Sequence, residues 1–188
     1  MIKKPKIVVA ITGASGAIYA QRFFLYLEKY QSQLEHVDVV MSENAKQVWE
    51  YELENKEYTS LAYSVFNNMD FKAPFASGSA AYDSLVIIPA SMGTIGRIAH
   101  GISNNLISRA ADVMLKERKQ LVVVARESPY SLIHLRNMTQ ITEAGGIIVP
   151  ATPSFYSRPK SVEELVDTVV LRVLQIIGIQ TNSFSWGG

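Results

Sequence analysis

The sequence of 188 residues contains no cysteine. This absence excludes disulfide bonds, thiolate metal sites, iron–sulfur clusters and a cysteine nucleophile. Only three histidines occur, His36, His100 and His134, and their wide spacing argues against a histidine-rich metal site. Neither sign of charge is in excess, because 18 Lys and Arg residues face 17 Asp and Glu residues, for a formal charge of +1. The totals therefore carry no signature of binding to duplex nucleic acid or to an anionic membrane.

Long apolar runs are also missing. The apolar segment Ile7–Ile11 is shorter than the roughly 7–15 residues of a signal-peptide core, and no run approaches the ~18–20 residues of a membrane span. We therefore expect a soluble, cytoplasmic protein. The hydrophobic fraction of 48% and the length fit one globular domain. We predict that this domain covers 1–188 and ends in a docking tail, at about 179–188, that carries Phe184 and Trp186.

Short apolar runs alternate with segments of helical periodicity. The runs predict strands at Ile7–Ile11, Val37–Met41, Leu85–Ile88, Leu121–Val124 and Ile147–Val149. Helical periodicity occurs near 16–30, 43–54, 102–118, 129–143 and 162–177. Strands that are nearly continuously apolar suit a parallel sheet covered on both faces. The alternation predicts a three-layer, doubly wound α/β fold of the Rossmann or flavodoxin-like type, which binds ligands at the carboxyl edge of its sheet.

Small residues follow the first and third predicted strands. The segment Thr12–Ala17 (TGASGA) joins the first strand to the first helix, and Pro89–Thr94 (PASMGT) follows the third strand. Small residues let the backbone approach a ligand, and a helix amino terminus presents N–H groups to a phosphate. A tight turn without a ligand would show the same pattern. Two such turns at one edge of a sheet favour a cradle for a phosphorylated ligand.

Charged residues near the same edge are candidates for contacting that ligand. Arg126 and Glu127 end the fourth predicted strand, where side chains reach the ligand-binding edge. Arg109 and Lys116 lie two turns apart on one helix and share a face, as in an ordinary solvated stripe.

For Ser42 and Arg172 the sequence allows two interpretations, and for Tyr156 it gives only a location. Ser42 follows the second strand, where both an amino-terminal helix cap and a ligand contact explain it and the cap is favoured. Tyr156 lies in a proline-rich loop after the fifth strand. Arg172 interrupts the apolar stripe of the last helix, where an ion pair and a phosphate explain it equally well. Backbone amides, hydroxyls, arginines and one carboxylate together indicate a site for phosphorylated ligands.

Four ordered blocks of the sequence carry a more specific signal. They are ITGASGAIYA, PASMGTIGRIAHGISNNLISRAADVMLKERK, ARESPYSLIHLRNM and PATPSFYSRPKSVEELVD. The chain resembles, in these blocks and over nearly its whole length, the flavin prenyltransferase family of the ubiquinone pathway, once called the small 3-octaprenyl-4-hydroxybenzoate carboxy-lyase. The resemblance implies that reduced FMN is alkylated at N5, and then at C6, by dimethylallyl phosphate without a metal ion. It further implies a homo-oligomer, dodecameric in the family, with sites at subunit contacts, and a decarboxylase that receives the prenylated FMN.

The resemblance also implies which residues form the site. Flavin contacts fall on Gly13, Ala14, Ser15, Ser42, Ser91, Met92, Gly93, Thr94 and Arg126. Contacts with the prenyl donor fall on Tyr156, Arg172, Arg109, Lys116 and Trp186. The catalytic residues implied are Glu127, Ser15, Lys116 and Arg109. In this interpretation the cations offset the charge of the leaving phosphate and Glu127 protonates it, which requires surroundings buried enough to favour the neutral carboxylic acid.

Three other functions fit parts of the pattern. The Thr12–Gly16 turn is similar to that of short-chain dehydrogenases, but Tyr19 stands in place of the third glycine and Pro159 disrupts the helix that a Tyr-x-x-x-Lys pair requires. A flavin-dependent cysteine decarboxylase has an asparagine in the segment after the third strand, where this chain continues with Met92. A non-catalytic FMN carrier needs the cradle but none of the residues that contact the prenyl donor.

Overall fold

The computed structural model describes residues 3–182 as a six-stranded sheet between two layers of helices. The strands are β1 Lys6–Ile11, β2 His36–Met41, β3 Ser64–Asn67, β4 Ser84–Ala90, β5 Gln120–Ala125 and β6 Ile147–Pro150. Their order in the sheet is β3-β2-β1-β4-β5-β6, and every neighbouring pair is parallel. The predicted three-layer, doubly wound α/β fold is confirmed.

Six α-helices cover the two faces of the sheet. They are α1 Ala17–Lys29, α2 Glu43–Leu53, α3 Met92–Ala99, α4 Leu106–Lys116, α5 Leu132–Glu143 and α6 Val162–Ile176. Helices α1, α2 and α6 pack on one face, and α3, α4 and α5 pack on the other. Successive side chains of β1 point to opposite faces, so Ile7, Val9 and Ile11 join the first core whereas Val8 and Ala10 join the second. This explains why the inner strands are nearly continuously apolar.

Two elements of the structure differ from the sequence prediction. The edge strand β3 was not predicted because it has only four residues, mostly exposed, and therefore no apolar run. Helix α3 was not predicted either: the segment Pro89–Thr94, interpreted as a turn, contains its first residues. The oxygen Oγ of Ser91 accepts a hydrogen bond from the Thr94 amide and caps this helix. The next helix starts later than predicted because Asn105 caps it.

A partly buried ion pair joins α6 to α1. The Arg22 guanidinium donates to both carboxylate oxygens of Asp167, at 2.7 and 2.6 Å, and the Tyr26 hydroxyl donates to the same carboxylate at 2.8 Å. Removing one member of a fully buried pair typically costs about 3–5 kcal/mol of stability, and this partly exposed pair should cost less. The contact therefore fixes α6, and with it the loop that connects β6 to α6, against the first helix.

The chain after α6 continues along the surface of the domain. Ile179 is buried, and the backbone of Gln180 exchanges two hydrogen bonds with the Gln33 side chain. Phe184 and Trp186 of the predicted docking tail lie outside the described residues, so the role of that tail stays a prediction. None of the helices within residues 3–182 is long and apolar enough to cross a membrane.

Candidate functional site

The carboxyl ends of β1 and β4 flank the point at which the strand order changes direction along the sheet. From β1 the chain proceeds outward to β2 and β3, and then returns to place β4 on the other side of β1. The loops that leave β1 and β4 therefore diverge, and open α/β sheets bind ligands in the crevice that this divergence creates. The segments at this crevice are Thr12–Gly16 and Ser91–Thr94.

A buried hydroxyl joins these two segments. The Oγ1 atom of Thr12 donates to the carbonyl oxygen of Pro89 at 2.8 Å and accepts from the Ser91 amide at 2.8 Å. Pro89 has no N–H group for the sheet ladder, and the register between β4 and β5 shifts between Ile87 and Ala90. The Thr12 side chain thus supplies hydrogen bonds at the interruption, and it fixes the distance between the two turns.

Three backbone amides of the first turn are available to a ligand. Gly13 and Ser15 are exposed, and within residues 3–182 the N–H groups of Gly13, Ala14 and Ser15 donate to no protein acceptor. Gly13 is required here because a Cβ atom would lie 2.5 Å from Cβ of Asn44. Successive amides together with the Ser15 hydroxyl form a concave donor group suited to an anion such as a phosphate.

The next two amides are already bound by a carboxylate of the protein. Glu52, on α2, accepts hydrogen bonds at 2.8 Å from the amides of Gly16 and Ala17, and its second oxygen lies 3.1 Å from the Gly16 amide. This negative charge compensates the positive end of α1, which leaves the preceding amides for a ligand. Sequence reasoning missed Glu52, because the contact joins residues 36 positions apart and no local pattern marks it.

Serines begin the helices at the two neighbouring loops. The Ser91 Oγ atom, which caps α3, also lies 3.1 Å from Oγ1 of Thr94. Ser42 caps α2 by accepting from the Ala45 amide at 3.1 Å, as the sequence predicts. The structure thus places at one edge of the sheet the predicted flavin contacts Gly13, Ala14, Ser15, Ser42, Ser91, Met92, Gly93 and Thr94.

A cation and a carboxylate complete the same edge. The Arg126 amide donates to the carbonyl oxygen of Ala90 at 3.2 Å, so this residue lies beside the second turn. Burial raises the pKa of the Tyr19 hydroxyl, and the nearby charge of Arg126 partly opposes that rise, which places the guanidinium close to α1. Glu127 is half-buried, and its Oε1 atom accepts from the Ser128 amide at 2.9 Å.

A second hollow, of about 720 Å³, lies between α6 and the loop that follows β6. Its wall contains Tyr156 and Arg172 beside the apolar side chains of Val149 and Leu171. Arg172 is exposed and has no carboxylate within ion-pair distance in the described part of the chain. The structure brings together these two residues, which are predicted to contact the prenyl donor. None of the crevice residues lines this hollow.

Arg109 and Lys116 lie elsewhere, on α4. Arg109 donates to the Ala76 carbonyl at 3.0 Å and pairs with Asp112 at 2.8 Å, whereas Lys116 pairs with Glu117 at 2.7 Å. Lys116 ends α4, and the short connection 117–119 leads from it to the start of β5, so Lys116 lies at the amino edge of the sheet. One chain therefore does not unite all the predicted site residues in a single pocket. Trp186 lies outside the described residues.

The chain is similar over nearly its whole length to known flavin proteins. A model of the Flavoprotein family matches residues 1–174. The flavin prenyltransferase UbiX of Thermoplasma acidophilum is 51% identical over 176 residues, which cover 93% of this chain and 95% of that protein. The structure of AnUbiX (PadA1), described in complex with FMN and dimethylallyl pyrophosphate, has a TM-score of 0.92 at 42% identity, with 99% of each chain covered. A dodecameric FMN-dependent UbiX-like decarboxylase from Escherichia coli O157:H7 has a TM-score of 0.92 at 37% identity, covering 97% of this chain and 100% of that one.

Replacing Thr12 tests whether its hydroxyl holds the crevice together. We expect Thr12→Val to lower the free energy of unfolding by about 1–3 kcal/mol, because it leaves the Ser91 amide without its buried acceptor. Thr12→Ser, which keeps the hydroxyl, is the matched control and should lose less. Urea unfolding followed by circular dichroism measures both. A valine variant as stable as the wild type would show that this hydroxyl does not stabilise the two turns.

Proposed function

Because the chain belongs to the Flavoprotein family, and within it to the flavin prenyltransferases, we propose that it transfers a dimethylallyl group to reduced FMN. The C–O bond of a dimethylallyl phosphate breaks as its C1 atom bonds to the flavin N5, which loses its proton. The prenyl double bond then takes up a proton and its C3 atom bonds to C6, which releases its hydrogen as a proton, so the fourth ring closes without an oxidant. Reduced FMN supplies both nucleophilic atoms, and phosphate is the leaving group. The names of the relatives do not favour a dehydrogenase, a cysteine decarboxylase or a non-catalytic carrier.

The crevice between β1 and β4 is the observation that carries this proposal. The amides of Gly13, Ala14 and Ser15 and the hydroxyls of Ser15 and Ser42 are donors suited to the phosphate end of FMN. Arg126 stands at the rim, where a guanidinium can face the electron-rich, anionic ring of a reduced flavin. This donor set supports a site for FMN at the crevice.

The prenyl donor needs cations that one chain does not bring to this crevice. Tyr156 and Arg172 line the hollow beside α6, and Arg109 and Lys116 lie on α4. We place these residues in sites formed between copies of the chain, where their charges offset the negative charge that develops on the departing phosphate. The Tyr156 hydroxyl donates a hydrogen bond to the same group.

The surface of the chain supports such an assembly. Large apolar side chains are exposed on α5 and near the hollow; Ile133 is 67% exposed and Phe155 is 71% exposed. Leu132 and Val162 are also more than half exposed. Clusters of exposed apolar side chains mark protein–protein contacts in many proteins. A dodecamer is described for the Escherichia coli relative, and we propose that an assembly of this chain buries these side chains.

Glu127 is placed to act as the acid. It follows Arg126 at the carboxyl edge of β5, half-buried and held by the Ser128 amide. Contact with a second copy and a bound flavin would remove further water from around this carboxyl group. We propose that it transfers its proton to the phosphate as the C–O bond breaks, while the surrounding apolar side chains exclude water from the allylic cation.

The proposed product, prenylated FMN, is expected to pass to a second protein that uses it as a coenzyme. Prenylated FMN is a modified coenzyme rather than an end product, so we propose that a cytoplasmic decarboxylase receives it. Its release from an open crevice at the edge of the sheet is consistent with transfer to another protein.

Replacing Glu127 tests both the reaction and the role of the acid. We expect Glu127→Gln to lower kcat for prenyl transfer by about 10²–10⁴-fold, because the amide cannot donate a proton to the leaving phosphate. The variant should still bind FMN, since the residue contributes no donor to the flavin cradle. Mass analysis of the flavin released after anaerobic incubation with reduced FMN, and with the mono- or diphosphate donor, measures the product.

Glu143→Gln, on the exposed end of α5, is the matched control and should turn over like the wild type. Wild-type turnover by the Glu127 variant would remove its role as the acid. Unmodified flavin from the wild-type chain with both donors would instead contradict prenyl transfer and favour a carrier.

Mixing two inactive variants tests whether neighbouring copies share a site. Lys116→Met and Glu127→Gln should each be nearly inactive alone. If the two residues of one site come from different chains, co-assembled oligomers contain intact sites and recover about a quarter of wild-type activity. Co-expression with two affinity tags isolates the mixed oligomers for assay. Activity no higher than the mean of the two variants would place both residues of a site on the same chain.

A further inference from the structure

Arg97 differs from the other half-buried arginines of residues 3–182 in having no acidic partner. Arg22 pairs with Asp167, and Arg109 pairs with Asp112. The Arg97 guanidinium makes neither an ion pair nor a hydrogen bond with any described residue. A charge that is partly removed from water is unfavourable unless a partner compensates it. The position of this side chain therefore indicates a partner that the single chain does not supply.

The guanidinium lies at the start of α3. Arg97 comes four residues after Gly93, and its Nη1 atom is 3.4 Å from the position that a Cβ atom of Gly93 would occupy. Helix side chains lean toward the amino terminus, so residues four apart share a face. Met92, Ile95 and Ile98 occupy the buried face of α3, whereas exposed Gly93 and half-buried Arg97 lie on another face. The charge thus stands above the first turn of the helix, at the crevice edge of the sheet.

Two features of this place favour an anion. The amino end of a helix is already positive, so a guanidinium there adds to the field of the helix instead of balancing it. Gly93 has no side chain that would separate the guanidinium from the second turn of the crevice. The Thr12 hydroxyl ties that turn to the Gly13–Ser15 amides through its bond with Ser91. Unpaired donors therefore line both β1 and β4 loops.

We propose that Arg97 binds the phosphate of FMN and makes the crevice selective for FMN over riboflavin. This inference rests on the flavin site proposed above and adds a residue to it. A planar guanidinium can donate two parallel hydrogen bonds to a phosphate, and such charge-assisted bonds are stronger than those between neutral groups. The Gly13–Ser15 amides bind the phosphate from the β1 side of the crevice, and Arg97 binds it from the α3 side.

Flavin binding to the purified chain, without any prenyl donor, tests this proposal. We expect Arg97→Gln to raise the Kd for FMN about ten- to hundredfold, the effect of losing a charge-assisted hydrogen bond. The Kd for riboflavin, which lacks the phosphate, should change by less than about twofold. Arg97→Lys keeps the charge but loses the paired donors, so its Kd for FMN should lie between those of the wild type and the glutamine variant. Quenching of flavin fluorescence measures all of these constants.

Arg136→Gln is the matched control, because this arginine is exposed on α5 and makes no ion pair in residues 3–182. It should bind both flavins like the wild type. The ratio of the two Kd values within each variant separates a lost phosphate contact from a damaged fold, since misfolding weakens both flavins together.

Two results would overturn the proposal. An unchanged Kd for FMN in Arg97→Gln, with or without a change in oligomer mass, would assign Arg97 to solvent or to a subunit contact. An equal loss of FMN and riboflavin affinity, with the fold intact by circular dichroism, would assign it to the ring or to the shape of the crevice. The outcome of this test is independent of prenyl transfer, because the binding measurement contains no prenyl donor. Arg97 can prove to bind the FMN phosphate in a chain that transfers no prenyl group, and prenyl transfer can be confirmed in a chain whose Arg97 does not affect FMN binding.

Discussion

The hydroxyl of Thr12 bridges the ends of β1 and β4 at the place where Pro89 interrupts the sheet ladder. Without that bridge, the one direct hydrogen bond between the two loops among residues 3–182 would be the 3.3 Å bond from the Thr12 amide to the Pro89 carbonyl. With it, the Gly13–Ser15 amides and the Ser91 helix cap are held at a fixed separation before any ligand arrives. A preorganised cradle loses little conformational freedom on binding, which favours affinity.

Charged side chains occupy separate parts of the chain. Glu52 compensates the amino end of α1, so the open donors lie only in the residues before it. The cations suited to a second phosphate lie on α4 and α6, away from that cradle. The proposed reaction holds two anionic ligands side by side and requires positive charge that one small domain spreads over its surface. Assembly of several copies is a direct way to concentrate it, and it would also cover the apolar side chains exposed on α5.

Much of this arrangement could be predicted from local sequence. Five strands were predictable because each is a nearly continuous apolar run. In β1, β2, β4 and β5 this run reflects burial on both faces, whereas the edge strand β6 is only partly buried. The turn residues were predictable because small side chains follow two of those strands. The edge strand β3 is too short and exposed to give such a run. Helix α3 was obscured by Gly93 and Gly96, which have low helix propensity; Gly96 packs where a Cβ would come 3.3 Å from Asn137. Glu52 and Arg97 could not be identified, since the place that each charge occupies depends on the folded backbone.

Hydrogen exchange at the amides of Gly13, Ala14 and Ser15, compared with and without FMN, tests the central claim most directly. If the crevice between β1 and β4 holds the flavin phosphate, exchange at these three amides should slow strongly on addition of FMN, because phosphate oxygens replace water as their acceptors. Unchanged rates at these amides, with protection confined to the hollow between α6 and the loop after β6, would contradict this placement of the flavin.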